Sequence, residues 1–269
     1  MSALHALGYG ALGAAVGALG TLIGAGGGFL LIPILAFLRP GDSAAILTGV
    51  SLTVVWANAT AGSIAYGRMR RIDVRAGLVF VIVGLPGALA GAWATAHIER
   101  RVFDPLLGAV LMLGGAAIFF KPATERHAAP TSRTRTLVER DGTTHVYAPR
   151  ILLGAVLSVG VGFLSSLLGI GGGILHVPAM VYLLGFPTHI ATATSHFVLA
   201  FLALAGVLVH IAQGSLRPGL DRALPLSAGA LLGAPLGAWA STRIRGPWIL
   251  RGLALALASV GLRLLFSHP

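Results

Sequence analysis

Apolar residues run along this chain in long blocks, at about 3–38, 44–66, 76–98, 104–120, 151–186, 189–213, 222–243 and 247–266, separated by short polar turns. A block of about twenty apolar residues crosses a ~30 Å hydrocarbon layer as a helix. A transmembrane barrel would instead show ~10-residue segments of alternating character, and none are present. The pattern predicts an all-α fold, a polytopic transmembrane helical bundle of about eight spans. Two blocks, 3–38 and 151–186, exceed one simple crossing at 1.5 Å per residue. Each contains a Gly-rich run, so each is expected to break there into a full-length helix and a shorter one of about ten residues.

The broken blocks belong to a repeat. Gly24-Ala25-Gly26-Gly27-Gly28-Phe29-Leu30-Leu31-Ile32-Pro33 matches Gly169-Ile170-Gly171-Gly172-Gly173-Ile174-Leu175-His176-Val177-Pro178. Thr48-Gly49-Val50-Ser51 matches Thr192-Ala193-Thr194-Ser195, and Gly91-Ala92-Trp93-Ala94 matches Gly237-Ala238-Trp239-Ala240. Three matches in one order, 144 to 146 residues apart, indicate an internal duplication. Residues 1–120 form a first transmembrane repeat and 151–269 a second, a common ground plan of secondary transporters. Between them, 121–150 is rich in Thr, Arg and Pro and reads as a mobile polar linker.

Successive glycines propagate a helix poorly, and irregular backbone at membrane depth persists only inside protein or along a wet cavity. After each run the helix restarts, with Pro33 and Pro178 expected near the first turn, where a missing N–H costs least. A restarted helix offers free N–H groups and the positive end of its dipole, which suits an anion. The plainer alternative is close helix packing, and it is the natural reading of the isolated pairs Gly13/Gly17, Gly20/Gly24, Gly87/Gly91 and Gly233/Gly237. Neither run continues into the Lys-Ser/Thr of a P-loop or a dinucleotide fold.

Composition agrees with a membrane protein: 56% hydrophobic and 10% charged residues, mean hydropathy +0.88. The net charge of +11 does not indicate a nucleic-acid partner, because the basic residues are scattered through loops at block ends, as topology signals are. Counted over eight plain crossings, or with the long blocks as complete hairpins, Lys and Arg divide 13 to 6 with the sides exchanged. Both counts put the 121–150 linker in the cytoplasm. Absence of Cys excludes thiol chemistry, residues 3–23 lack the basic flank of a cleaved leader, and nothing calls for a cofactor or resident metal.

All eight acidic residues, Asp42, Asp73, Glu99, Asp104, Glu125, Glu139, Asp141 and Asp221, fall in loops or at block ends. A cation carrier ordinarily keeps an acid at depth, so an anion is the expected cargo. The polar groups left at depth include Ser51, Asn58 and Tyr66 in the first repeat and His176, Ser195, His196 and His210 in the second. His176 stands where the first repeat has Leu31, His196 where it has Leu52, and Asn58 where the second has Leu202. Each histidine is read either as a switchable donor or as a neutral ring bonded to backbone, and each hydroxyl either as a ligand or as a bond to its own helix. The candidate substrate-binding set is Gly26, Gly27, Gly28, Ser51, Asn58, Gly171, Gly172, Gly173, His176, Ser195 and His196. Trp93 and Trp239 read as interfacial anchors.

On the duplicated GxGGG–apolar–Pro element, the following Thr-x-x-Ser span and the Gly-Ala-Trp span, the chain resembles the sulfite exporter TauE/SafE family, also called the toluene sulfonate uptake permease family. The resemblance implies a multi-pass permease of the bacterial inner membrane with about eight helices, moving sulfite, sulfonates or related sulfur oxyanions. It does not supply ligand roles for the glycines. The expected function is a secondary transporter, and an exporter by the family's name, of a small sulfur-containing anion, and no enzyme. A passive anion channel and a non-transport membrane subunit stand as alternatives. The expected partners are the anion and the bilayer; oligomeric state is not legible.

Overall fold

The computed structural model describes residues 2–120 and 134–244 and four residues of a further helical segment within 251–255. Its helices are α1 Ala3–Ile23, α2 Gly28–Leu38, α3 Ala44–Arg68, α4 Val74–Thr95, α5 Arg100–Phe120, α6 Ile151–Leu168, α7 Gly173–Pro178, α8 Thr188–Ala212 and α9 Leu220–Ser241. Six of them (α1, α3, α4, α6, α8 and α9) are long and apolar enough to cross a membrane. The expected block at 247–266 lies largely outside the described residues.

Both long blocks are interrupted where the glycines predict. α1 ends on Gly24 at φ +82 and α6 on Gly169 at φ +62, a left-handed cap open to glycine at little cost. α2 restarts at Gly28 and α7 at Gly173, and α7 runs on through a π-helical turn, Ala179–Leu183, so each short limb spans eleven residues. Pro33 and Pro178 are each the sixth residue of the restarted helix, in the turn after its first. The helix begins at the last glycine of the run, which pushes the proline into the second turn, where it gives up a backbone bond.

Neighbouring residues fix the direction of every long helix. Along α1 and α9, Gly10 lies against Pro225 and Gly229, Ala14 against Gly233 and Ala18 against Gly237, so these helices run parallel. Gly84, Gly87 and Gly91 of α4 follow Ser158, Val159 and Phe163 of α6, also in parallel. Val50 of α3 meets Gly219 before α9, and Tyr66 near its end clusters with Ala238, so α3 runs with α9. On α8, in contrast, His196 faces Gly62 and His210 faces Gly49 of α3: the two are antiparallel. Because α3 and α8 are copies of one element, the repeats are inverted with respect to each other, related by a pseudo-two-fold axis in the membrane plane. Since α1 and α3 run the same way, α2 returns the chain to the side from which α1 began. Of the two charge counts, the one with complete hairpins describes the fold.

Close helix crossings join one repeat to the other. A Cβ on Gly13 would sit 2.0 Å from the Leu226 carbonyl oxygen, one on Gly233 2.1 Å from that of Ala14, and one on Gly87 2.1 Å from that of Val159. Only glycine lets backbones approach this far, and in lipid such packing replaces the hydrophobic drive between helices. Two pairs, α1 with α9 and α4 with α6, therefore flank a central pair, α3 with α8. Leu152, Leu232, Ile82 and Leu236 point outward, and Trp93 and Trp239 are exposed near the ends of α4 and α9, as expected of a surface facing lipid.

The 121–150 stretch departs from a mobile linker over its second half. Residues 121–133 lie outside the described part, but β1 Arg135–Val138 and β2 Thr144–Tyr147 form an antiparallel hairpin, Arg135 opposite Tyr147. Gly142 at φ +91 closes the turn, and Asp141 accepts the Thr143 N–H at 2.9 Å, which holds its carboxyl below the usual range. The hairpin docks where α3 turns into α4. Asp73 caps α4 through the Ala76 N–H and accepts bonds from Arg135 at 2.8 Å and the Tyr147 hydroxyl at 2.9 Å. Burial first, then the Asp73 carboxylate, raises the Tyr147 phenol far above its ordinary range, so it stays a donor. Arg71 pairs with Glu139, which also accepts from His145 at 2.8 Å. Composition averaged over thirty residues hides the local signal, an Asp-Gly turn between β-branched stretches.

Candidate functional site

The two interruptions meet at the centre of the bundle. A Cβ on Gly26 or on Gly171 would each stand 3.1 Å from Val55 Cγ1, and the Gly26 one also 2.4 Å from Leu199 Cδ2. Val55 and Leu199 are equivalent residues, each the twelfth of a 25-residue helix, α3 and α8. The pseudo-two-fold axis thus passes through the crossing at mid-height of the spans. The crossing is reciprocal. Gly28 abuts Gly169 and Ile170, Gly173 abuts Gly24 and Ala25, Gly24 faces Thr192 and Gly169 faces the equivalent Thr48.

The serines placed alike by the repeat occupy equivalent positions here. Ser51 Oγ donates to the Gly169 carbonyl at 2.7 Å, and Ser195 Oγ donates to the Gly24 carbonyl at 3.4 Å. Each ties the end of the other repeat's first helix. Their hydroxyl protons face the crossing, not their own helices. Among the described residues, the N–H groups of Gly27, Gly28 and Phe29 and of Gly172, Gly173 and Ile174 have no hydrogen-bond acceptor, whereas Ala25 and Gly26 donate to the Gly20 carbonyl. Gly27 at φ +83 and Gly172 at φ −57 show that the two breaks are similar without being identical.

Asn58 and His196 come together beside the first break. Thr21 Oγ1 donates to Asn58 Oδ1 at 3.0 Å and lies 3.2 Å from His196 Nε2, which is 3.5 Å from Asn58 Nδ2. Tyr66 donates to the Thr21 carbonyl at 2.8 Å and packs edge-on to the imidazole. Gly62 makes room: a Cβ there would stand 2.5 Å from the His196 ring. All four polar side chains are buried, and His196 Nδ1 has no hydrogen-bond partner of ordinary geometry, although the Gly24 carbonyl lies on that side.

The same place in the other repeat has leucines where this one has Asn58 and His196. Thr21, Asn58, Gly62, Tyr66 and His196 correspond to Ser166, Leu202, Gly206, His210 and Leu52. A Cβ on Gly206 would meet Leu52 and Ser166, as one on Gly62 would meet His196 and Thr21. Ser166 Oγ is buried without a partner, and His210 turns instead to Ser215 at 2.8 Å. His176 is not part of either cluster. Its Nε2 lies 3.4 Å from Ser158 Oγ, and its ring packs on Phe80. No group of three or more metal-ligating side chains converges among the described residues. Thr21 is the residue that reading the spans misses; its signal was the alignment of Thr21 with Ser166 and of Tyr66 with His210 across the repeat.

The family described as sulfite exporter TauE/SafE matches residues 9–264. A probable membrane transporter protein of Bacillus subtilis, YunE, is 30% identical over 95% of this chain and 96% of its own. One from Methanocaldococcus jannaschii is 29% identical over 74% of this chain and 70% of its own, and one from Xylella fastidiosa 28% over 82% and 79%. No solved structure matches. The inverted pair of glycine-broken hairpins, the multi-pass bundle and the match across nearly the whole chain lead to one conclusion: this protein belongs to the sulfite exporter TauE/SafE family of membrane transporters.

Proposed function

We propose that the chain is a secondary carrier exporting a small sulfur-containing anion, such as sulfite or an organosulfonate, across a bacterial-type inner membrane. The observation that carries this reading is the reciprocal crossing of two broken helices at mid-span, with free amide N–H groups on both and, among the described residues, no ionised side chain beside them. Amides at helix starts hold an oxyanion by direct donation and a favourable dipole, and they recur at the substrate sites of inverted-repeat carriers. Gly27, Gly28, Gly172 and Gly173 would supply the donors, and Gly26 and Gly171 would line the crossing between them. Ser51 and Ser195 would turn from the opposing carbonyls to the anion, and Asn58 and His196 would bound the site on one side.

In the conformation described the crossing is closed by backbone contacts. Access then requires movement, and the tight pairs α1–α9 and α4–α6, each drawn from both repeats, are the rigid bodies that would move about α3–α8. The side bearing the hairpin carries Arg68, Arg70, Arg71, Arg75, Arg135, Arg140, Arg150 and Arg243, against Arg39, Arg100, Arg101, Arg217 and Arg222 on the other. By the positive-inside rule the hairpin side faces the cytoplasm.

Proteoliposomes loaded with labelled sulfite or methanesulfonate test the reading. Saturable flux with counterflow is the expected result. Ohmic single-channel current would make the protein a pore, and no flux of any sulfur oxyanion would remove the substrate assignment.

A further inference from the structure

We infer that His196 is the site of a coupling proton, so that one proton moves with each monovalent anion. This inference rests on the transport reading above and adds to it a co-transported proton, which makes export electroneutral and leaves the anion's own outward gradient to drive it.

Three independent features place the proton there. The anion site has no fixed countercharge: the acidic and basic side chains that are described lie in loops or toward helix ends. An anion held by amides in a dry centre therefore leaves a net negative charge that must cross the membrane, unless a titratable neighbour carries a proton with it. Imidazole is the side chain suited to such a change, and anion and imidazolium stabilise each other in a medium of low dielectric. The second feature is position. Of the three buried histidines, His196 stands beside Gly24, at the first break, within reach of Thr21 and Asn58, while His176 and His210 are turned to Ser158 and Ser215. Its Nδ1 is fully buried and has no hydrogen bond of ordinary geometry, with the Gly24 carbonyl nearby, so a second ring N–H would be directed at the first break, where the anion would sit.

The third feature is asymmetry. Inverted repeats present each local environment twice, on opposite sides of the midplane, yet here the copies differ: Leu52 and Leu202 stand where the first has His196 and Asn58, Ser166 is left without a partner and His210 turns to Ser215. One proton site per chain follows, on the hairpin side of the midplane, against Gly62 of α3. There Ala65, next to Tyr66, lines a cavity of about 470 Å³ together with Arg68, Arg71, Glu139 and Arg140. Arg71 in turn reaches Ser241 Oγ at 3.4 Å.

The groups facing His196 are few. From α3 come Asn58 and Tyr66, with Arg71 beyond them, paired to Glu139 and His145. From α1 come Thr21 and the Gly24 carbonyl. α4 offers Asp73 at its start, held by Arg135 and Tyr147, its N–H bonded to Thr194 Oγ1 at 3.0 Å. α7 carries His176 against Phe80. Among the described residues no carboxylate touches the ring, so the anion itself is the charge that would hold a proton on His196.

The test uses the purified full chain in liposomes with labelled methanesulfonate, a permanent monoanion whose accumulation cannot come from leakage of a neutral acid. Membrane potential is clamped at zero with potassium and valinomycin. A pH difference of one unit should drive about tenfold accumulation on the alkaline side, following one proton per anion, with matching proton movement read by an entrapped pH dye. His196→Gln, which keeps hydrogen-bonding capacity, should lose accumulation altogether, and whatever counterflow it keeps should no longer depend on pH; His97→Gln, on the surface, should retain counterflow and accumulation. Counterflow without accumulation in the unaltered protein, or tenfold accumulation by His196→Gln, overturns the inference and leaves the anion reading intact. No counterflow at all overturns both. A second readout needs no transport by the variant: nitrogen-15 imidazole spectra, assigned by difference with His196→Gln, should show His196 become imidazolium on adding methanesulfonate. A ring that stays neutral overturns the inference.

Discussion

Replacing Gly173 by alanine probes the crossing directly. The new methyl carbon would lie 2.0 Å from the Gly24 carbonyl oxygen, 2.5 Å from Ala25 Cα and 2.8 Å from the Gly24 carbonyl carbon. Non-bonded carbons settle about 3.5–4.0 Å apart, so the two breaks would have to separate by more than about 1 Å. Overpacking that side chains can absorb costs about 1–3 kcal/mol. Here the obstacle is backbone, anchored by the cap of α1, and α7 is carried on the other face. The expected loss is therefore about 3 kcal/mol or more, accompanied by loss of transport. Gly160→Ala on α6 is the matched control. Its Cβ meets nothing within 4 Å, and alanine in a helix interior gains about 0.5–1 kcal/mol over glycine. Unfolding titrations in mixed micelles, with thermal melting alongside, would compare the two. A Gly173→Ala protein within about 0.5 kcal/mol of the parent, and still active, would refute the reciprocal crossing.

The remaining expectations use smaller changes. Ser51→Ala removes a 2.7 Å bond to the buried Gly169 carbonyl and should cost about 1–2 kcal/mol, whereas Ser195→Ala, losing a 3.4 Å contact, should cost less than about 0.5 kcal/mol in the same titration. Equal effects would contradict the geometry. Gly62→Ala should displace the His196 ring and reduce transport at least tenfold, while Gly206→Ala, meeting the tip of Leu52 at 2.7 Å, should keep transport within about threefold. With no native cysteine, single cysteines can report topology: Ser2→Cys and Thr143→Cys should react with an impermeant maleimide from opposite faces of the membrane. Labelling from one face would exclude the inverted arrangement.

Fold class was legible because lipid leaves few options. Backbone groups in a bilayer must bond within helices or closed barrels, so long apolar blocks without period-two alternation mean helices. The duplication, the breaks at Gly24–Gly28 and Gly169–Gly173, and the likeness of Ser51 to Ser195 were likewise written in the one-dimensional order. The hairpin at 135–147 was written there too, in Asp141-Gly142, but at a scale that composition does not resolve.

Direction and contact were not. Charge counting left two topologies level, because reversing one short limb exchanges 13 and 6 without changing either, and only the antiparallel meeting of α3 with α8 decided between them. His176 and His196 look alike in sequence, each replacing a leucine of the first repeat. Tertiary packing turns one to Ser158 and Phe80 and brings the other to Thr21 and Asn58, 175 and 138 residues away. A sequence states which polar groups a membrane must accommodate; which of them share a pocket depends on how helices distant in the chain cross.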